Sequence, residues 1–189
     1  MSNDIDLTEH LISSEIIATG GMLTVRRDQV RLPNGNNSQR EYVIHPGAVV
    51  VVALLPNNHV ILEKQFRYPM RKVFIELPAG KIDSGESTLL TGQRELLEET
   101  GYSAKQWIYL GHQHPCIGYS TEVIHMYLAL DLDASAPKRD EDEHLEVFEA
   151  SIEDCMRMID EEKITDGKTI IALFFVNKYL AKQSFKKHG

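Results

Sequence analysis

Apolar and polar positions divide the chain into a run of strand-like segments, one glutamate-rich helical stretch and a helical end. Residues 1 to about 12 are polar and are expected to be loosely held. From Ile16 to Val30 the apolar positions alternate in the β manner, with Leu23, Val25 and Val30 on one side. Pro33-Asn34-Gly35-Asn36-Asn37 is a turn cluster and Arg40 to Ile44 a returning strand, so a β-hairpin arm precedes the main body. Such an arm exposes strand edges and apolar residues, and it calls for a partner surface. Gly47 to Leu55 (GAVVVVALL) is too short for a membrane helix and reads as a strand buried on both faces. His59 to Phe66, Val73 to Leu77, Trp107 to Gly111, Glu122 to Leu130 and Leu145 to Phe148 add further strands. Helices are expected from Ser87 to Thr100, from Ser151 to about Glu162, and from Asp166 or Gly167 to about Lys182. Mixed strands with three scattered helices make this an α/β protein, a sandwich with helices covering a mixed sheet on both sides. The expected division is an arm over residues 1–45 and a main domain over 46–189. Trp107 and the pair Phe174-Phe175 are expected in the core.

The stretch from Ser87 to Thr100 carries two sets of side chains. Leu89, Leu90, Leu96 and Leu97 fall on one stripe at 100° per residue, and Glu95, Glu98 and Glu99 project from the opposite side. Gly101 follows at the place where a left-handed helix cap favours glycine. Three carboxylates on one face repel one another unless positive charge lies between them, and Arg94 supplies one such charge. Periodicity alone leaves two readings open: a solvated acidic face, or hard oxygen ligands for a divalent cation of the Mg²⁺ or Mn²⁺ type.

The spacing separates them. Gly80, five residues, Glu86, seven residues, Arg94-Glu95, two residues, Glu98-Glu99, one residue, Gly101 and Tyr102 resemble the Nudix box at every fixed position. Seven fixed identities coincide by chance on the order of 10⁻⁸ per starting position at ordinary residue frequencies. The resemblance implies a Nudix fold and hydrolysis of a nucleoside diphosphate linked to another moiety, by attack of water on phosphorus with Mg²⁺ (or Mn²⁺ in its place). It implies that Glu95 and Glu99 are the main metal ligands, with the carbonyl of Ala79 and with Glu98 as a further ligand or supporting group. Glu86 and Arg94 are implied to form a structural ion pair, and Gly80 and Gly101 to serve the backbone.

Weaker resemblance to the ADP-ribose pyrophosphatase branch extends over most of the chain. It makes the run Arg139-Asp140-Glu141-Asp142-Glu143-His144, otherwise read as a solvated acidic loop, the source of the catalytic base. Glu141 falls at the base position and Glu143 at a metal-ligand position, with an exchange between the two left open. Arg67, in Gln65-Phe66-Arg67-Tyr68-Pro69, is implied to contact a substrate phosphate, where a planar guanidinium suits two oxygens at once. Arg40-Glu41 is similar to the arm dipeptide that reaches the base or ribose across a homodimer. One departure concerns substrate choice: Ile117 stands where that branch carries proline, and Pro115 lies two residues earlier. ADP-ribose, yielding AMP and ribose 5-phosphate, is the first expectation. GDP-mannose, another nucleotide sugar or a dinucleotide is the alternative. A module that senses a nucleotide sugar without cleaving it typically lacks box carboxylates, and Glu95, Glu98 and Glu99 are all present.

Composition narrows the partners. A net charge of −8 argues against nucleic acid or an anionic membrane, and it means that an anionic substrate needs metal ions or local Arg and Lys. Cys116 and Cys155 show no CxxC pattern and are expected as reduced thiols. No signal-peptide pattern opens the sequence, so a cytoplasmic location is expected. The eight histidines form no metal-ligand spacing and are read mostly as surface or loop residues, with His112 and His114 near the expected substrate loop.

Overall fold

The computed structural model describes residues 5–136 and 144–187, with side chains as far as residue 183. It divides into two units, residues 1–46 with 116–122, and residues 47–115 with 123–189.

The first unit is a three-stranded antiparallel sheet in the order β1-β2-β3: β1 (His10–Thr19), β2 (Thr24–Arg31) and β3 (Asn37–Ile44). The expected alternation from Ile16 to Val30 therefore covers two strands, and residues from His10 onward are a strand where a loose segment was expected. Gly20-Gly21 marks the missed turn, closed by the Gly20 amide donating to the Leu23 carbonyl at 2.8 Å. The second turn is where the Pro-Asn-Gly cluster predicts it, with the Gly35 amide donating to the Leu32 carbonyl at 2.9 Å. β1 is exposed along its whole length, including Leu11, Ile12, Ile16 and Ile17. Residues 116–122 run alongside β3, held by the Val43 amide on the Tyr119 carbonyl and the Thr121 amide on the Val43 carbonyl, at 2.8 and 3.0 Å.

The second unit is built around β4 (Ala48–Ala53), whose six residues are all buried. β4 lies parallel to β9 (Ile124–Ala134) in a mixed sheet of order β7-β4-β9-β8, with β7 (Ala79–Lys81) and β8 (Tyr102–Gln113) antiparallel to their neighbours. A second, antiparallel sheet has the order β10-β5-β6, with β5 (His59–Arg67), β6 (Lys72–Glu76) and β10 (Leu145–Ser151). Alternation along β4 feeds two cores. Val50 and Val52 pack with Leu62, Leu77, Met126 and Leu128 beneath α2 (Ile152–Asp160) and α3 (Gly167–Lys187), and Val49 and Val51 pack with Ile61, Leu96 and Tyr127. Each fully buried valine contributes about 1.5–3 kcal/mol relative to exposure. This is the α/β sandwich expected, with helices on both faces of the mixed sheet.

The glutamate-rich helix departs from its helical-wheel reading. α1 (Thr88–Glu95) starts at Ser87, whose Oγ accepts the Leu90 amide, and continues as a π-helical turn over Leu96–Thr100 that Gly101 ends in the left-handed region at φ 77°. At ordinary helical spacing the inward face runs through Thr91, Gly92, Leu96 and Glu99, an arc displaced from the leucine stripe that only Leu96 shares, while Leu89 and Leu90 are exposed. Phe174 and Phe175 are exposed as well, against the expectation that they belong to the core; Trp107 does pack against the second core.

Candidate active site

The short strand β7 and the loop to α1 bring the glutamates together. Gly92 lets α1 settle onto β4: a Cβ on it would stand 3.2 Å from Val49 Cγ1 and 3.4 Å from Val51 Cγ2. This close approach carries the helix's last turns to β7. Glu99 is 2% exposed, and its Oε2 accepts the backbone amide of Ala79 at 3.0 Å. The carboxylate of Glu95 lies over Gly80, where a Cβ would be 1.7 Å from Glu95 Oε1, so any larger residue at Gly80 must displace Glu95. Glu95 and Glu99 are thus turned into the protein, while the Glu98 side chain stays 39% exposed.

Arg94 is the cation that makes this possible. Its Nε donates to Glu86 Oε1 at 3.1 Å, and its Nη2 donates to Glu86 Oε2 at 3.0 Å and to the Lys81 carbonyl at 3.1 Å. Its Nη1 donates to Glu95 Oε1 at 2.8 Å and Glu98 Oε2 at 3.1 Å. These contacts use the full donor set of a guanidinium and spread one charge over three carboxylates. Hydrogen bonds from Arg94, opposed by desolvation and helped by the Thr91 hydroxyl at 2.7 Å, lower the Glu86 pKa to about 2. In turn Glu86, against desolvation, and then Glu95 push the Arg94 pKa up.

The oxygens of Glu95, Glu98, Glu99 and the Ala79 carbonyl are the hard donors that suit Mg²⁺ or Mn²⁺, and the missing side chain at Gly80 is what admits the Glu95 carboxylate beside β7. Among the described residues, no three carboxylate, imidazole or thiol groups stand gathered in metal-binding geometry. In this arrangement Arg94 holds Glu95 and Glu98, and Glu99 faces the Ala79 amide. Glu141 and Glu143 lie outside the described residues.

Arg67, at the end of β5, donates through Nε and Nη2 to the two oxygens of Glu76, at 2.7 and 2.8 Å. These bonds to Glu76 raise the Arg67 pKa against desolvation, and the charges of Glu63 and Glu99 also reach it. Sequence reasoning had no sign of the buried Glu63, nor of Lys168, which bonds Glu76 from α3. The only available signal was the pattern Asp166-x-x-Thr169 of a helix start. Arg40 and Glu41 are placed in the first unit, where Arg40 pairs with Glu9 and Glu41 with Arg27. Together with Asp28, Tyr42 and Tyr119 they line a hollow of about 430 Å³. A group the histidine reading overlooked lies on β8 and β9: the Tyr109 hydroxyl is 3.3 Å from His112 Nδ1 and 3.1 Å from His125 Nδ1. Desolvation and then the neighbouring His112 lower the His125 pKa.

Comparison with known proteins agrees with this architecture. The NUDIX domain family model matches residues 44–173, and a family described as nucleoside diphosphate sugar hydrolase N-terminal domain matches residues 9–43. The chain is 38% identical over 182 residues to an ADP-ribose pyrophosphatase of Bacillus subtilis, covering 95% of this chain and 98% of that protein. It is 39% identical to a methanol dehydrogenase activator of Bacillus methanolicus, covering 95% and 96%. A crystal structure of an ADP compounds hydrolase superposes with a TM-score of 0.85 over 94% of this chain and 97% of the other, at 24% identity, which speaks for the fold. With Glu95 and Glu99 drawn onto Ala79-Gly80 and both family models matched in order, the chain belongs to the Nudix hydrolase family, as a Nudix domain preceded by a nucleoside diphosphate sugar hydrolase N-terminal domain.

Proposed function

We propose that this Nudix hydrolase cleaves the pyrophosphate of a nucleoside diphosphate sugar, with ADP-ribose the first substrate and AMP and ribose 5-phosphate the products, in the presence of Mg²⁺. The observation that carries the reading is that buried Glu99 and half-buried Glu95 are held against Ala79 and Gly80, a place that serves no solubility role. Glu95, Glu98, Glu99 and the Ala79 carbonyl hold the metal. Bound there, the metal neutralises the pyrophosphate and favours the ionised form of an attacking water. Arg94 keeps Glu95 and Glu98 from repelling one another when no metal is present. Arg67 binds a substrate phosphate, Glu141 takes the proton from water, and Glu143 adds a metal ligand. Arg40 and Glu41 contact the nucleoside in a homodimer formed through the exposed arm strand β1. The enzyme works in the cytoplasm, where both free cysteines stay reduced.

The test is a panel of ADP-ribose, GDP-mannose, other ADP- and GDP-sugars, NADH and diadenosine polyphosphates with Mg²⁺, with products identified. ADP-ribose is expected to give the highest kcat/KM. Glu99→Gln is expected to lower kcat by about 10³-fold with an unchanged melting profile, in the range found when a group stabilising the transition-state charge is removed. Near-normal, metal-dependent turnover by that variant would take the helix out of the mechanism. The likeness to a methanol dehydrogenase activator supports a second reading, in which the protein raises the activity of a dehydrogenase. Adding it to methanol dehydrogenase and following the dehydrogenase rate tests that reading directly.

A further inference from the structure

Glu76 is the last residue of β6, is 2% exposed, and holds two cations at once. Arg67 takes both of its oxygens from the solvent side, with a side chain 40% exposed. Lys168 bonds Oε2 from the inner side, and its side chain is 14% exposed. The position of Lys168 is fixed by the first turn of α3. Its Nζ also donates to Asp166 Oδ2 at 3.0 Å, and the same oxygen accepts the Thr169 amide at 3.0 Å and the Thr169 hydroxyl at 2.6 Å. Thr169 Oγ1 in turn accepts the backbone amide of Leu77 at 2.9 Å, directly after Glu76. One end of α3 is thereby locked to the strand that leads into Ala79-Gly80.

Glu76 therefore has a second cation besides Arg67. Arg67 is the outermost member of the set with Glu76, Lys168 and Asp166, and the charges of Glu63, across the strand pair from Glu76, and of Glu99 also reach it. A buried carboxylate whose sole cation leaves becomes an uncompensated charge, which is strongly unfavourable. If Arg67 were the only partner of Glu76, turning it toward a substrate phosphate would create that situation. With Lys168 in place, Glu76 stays paired when the guanidinium turns away. We propose that Lys168 is a positioning residue that shares the charge of Glu76 and so releases Arg67 to the substrate's phosphate. The proposal rests on the reading of Arg67 as a phosphate ligand.

Lys168 is largely buried and acts through Glu76 on Arg67, so its effect is expected in binding and not in the chemical step. In Lys168→Met, KM for the best nucleotide sugar and Kd for its methylene-bridged, uncleavable analogue are expected to rise about tenfold, with kcat nearly unchanged, the pattern of lost uniform binding. Lys168→Arg, which keeps the charge, is expected to restore both. Neutralising the carboxylate removes the need for a second cation, so Glu76→Gln with Lys168→Met is expected to match Glu76→Gln alone. That comparison holds even where Lys168→Met by itself melts too low to assay, since the double variant leaves no charge at position 76 to be buried without Lys168. Unchanged KM and Kd in Lys168→Met would overturn the proposal. So would a Lys168→Met loss of the same size whether Glu76 or Gln occupies position 76, because that is the behaviour of a merely structural lysine. Arg67→Gln separates the layers. Wild-type turnover with KM unaffected by Arg67→Gln removes the phosphate role and the proposal with it. Absence of turnover on every nucleotide sugar removes the proposed function itself.

Discussion

At the scale of single residues, the site is governed by how one guanidinium distributes itself. Arg94 meets Glu86 with two nitrogens and reaches Glu95 and Glu98 with a third, so the face that would otherwise repel itself is held together by hydrogen bonds to one cation. Glu86 is fixed as an ion, its pKa lowered from 4.5 to about 2 chiefly by Arg94. A carboxylate with a depressed folded-state pKa contributes stability that is fully present above its unfolded pKa and is lost as pH falls through the folded value. The Glu86 contribution is therefore complete above about 4.5 and disappears toward about 2. Glu86→Gln is expected to be less stable than the parent by about 1–3 kcal/mol at pH 7, the range for hydrogen bonds to charged groups. The gap should close as pH falls toward 2. Urea unfolding at a series of pH values checks it, and a gap that stays constant with pH would show that the Glu86 charge plays no part.

At the scale of elements, α1 shows how a helix can be found correctly and still be rotated wrongly. Its start at Ser87 and its end at Gly101 follow from capping chemistry that sits within the sequence. Its orientation does not. Periodicity offers the leucine stripe as the inward face, but packing seats the neighbouring arc instead, with the close approach at Gly92 turning Thr91 and Glu99 toward the core. Gly92→Leu adds a side chain where one Cβ already meets two valines and Trp107. It is expected to cost about 1–3 kcal/mol as overpacking of a well-filled interior. It should also lower turnover by moving Glu95 and Glu99 off Ala79-Gly80. Chemical denaturation and kcat measured on the same preparation test both, and a stable, fully active variant would mean that the helix does not depend on this contact.

At the scale of the whole molecule, the open question is what covers β1. It is an edge strand with apolar side chains exposed on a sheet of only three strands, and such edges are normally paired or blunted by charge. A homodimer is the expected solution state, with a mass of twice the 21.5 kDa chain by light scattering. Ile16→Glu is expected to shift it toward the single-chain mass. A parent protein that runs as a single chain at micromolar concentration would leave Arg40 and Glu41 without the cross-subunit role proposed for them. No helix among the described residues is long and apolar enough to cross a membrane.

Read alone, the sequence determined the features that are local in the chain: the β-branched run of β4, the turn at Pro33–Asn37, both ends of α1, and the box spacing that marks the family. Each depends on backbone preference or on residues a few positions apart. Tertiary structure alone decided which face of α1 turns inward and that Glu99 meets the Ala79 amide. It also decided that β7 exists as a strand, and that Lys168 arrives beside Glu76 from 92 positions away. Such contacts are set by how elements pack and by where buried charge finds a counterion, and neither leaves a periodic trace in the order of residues.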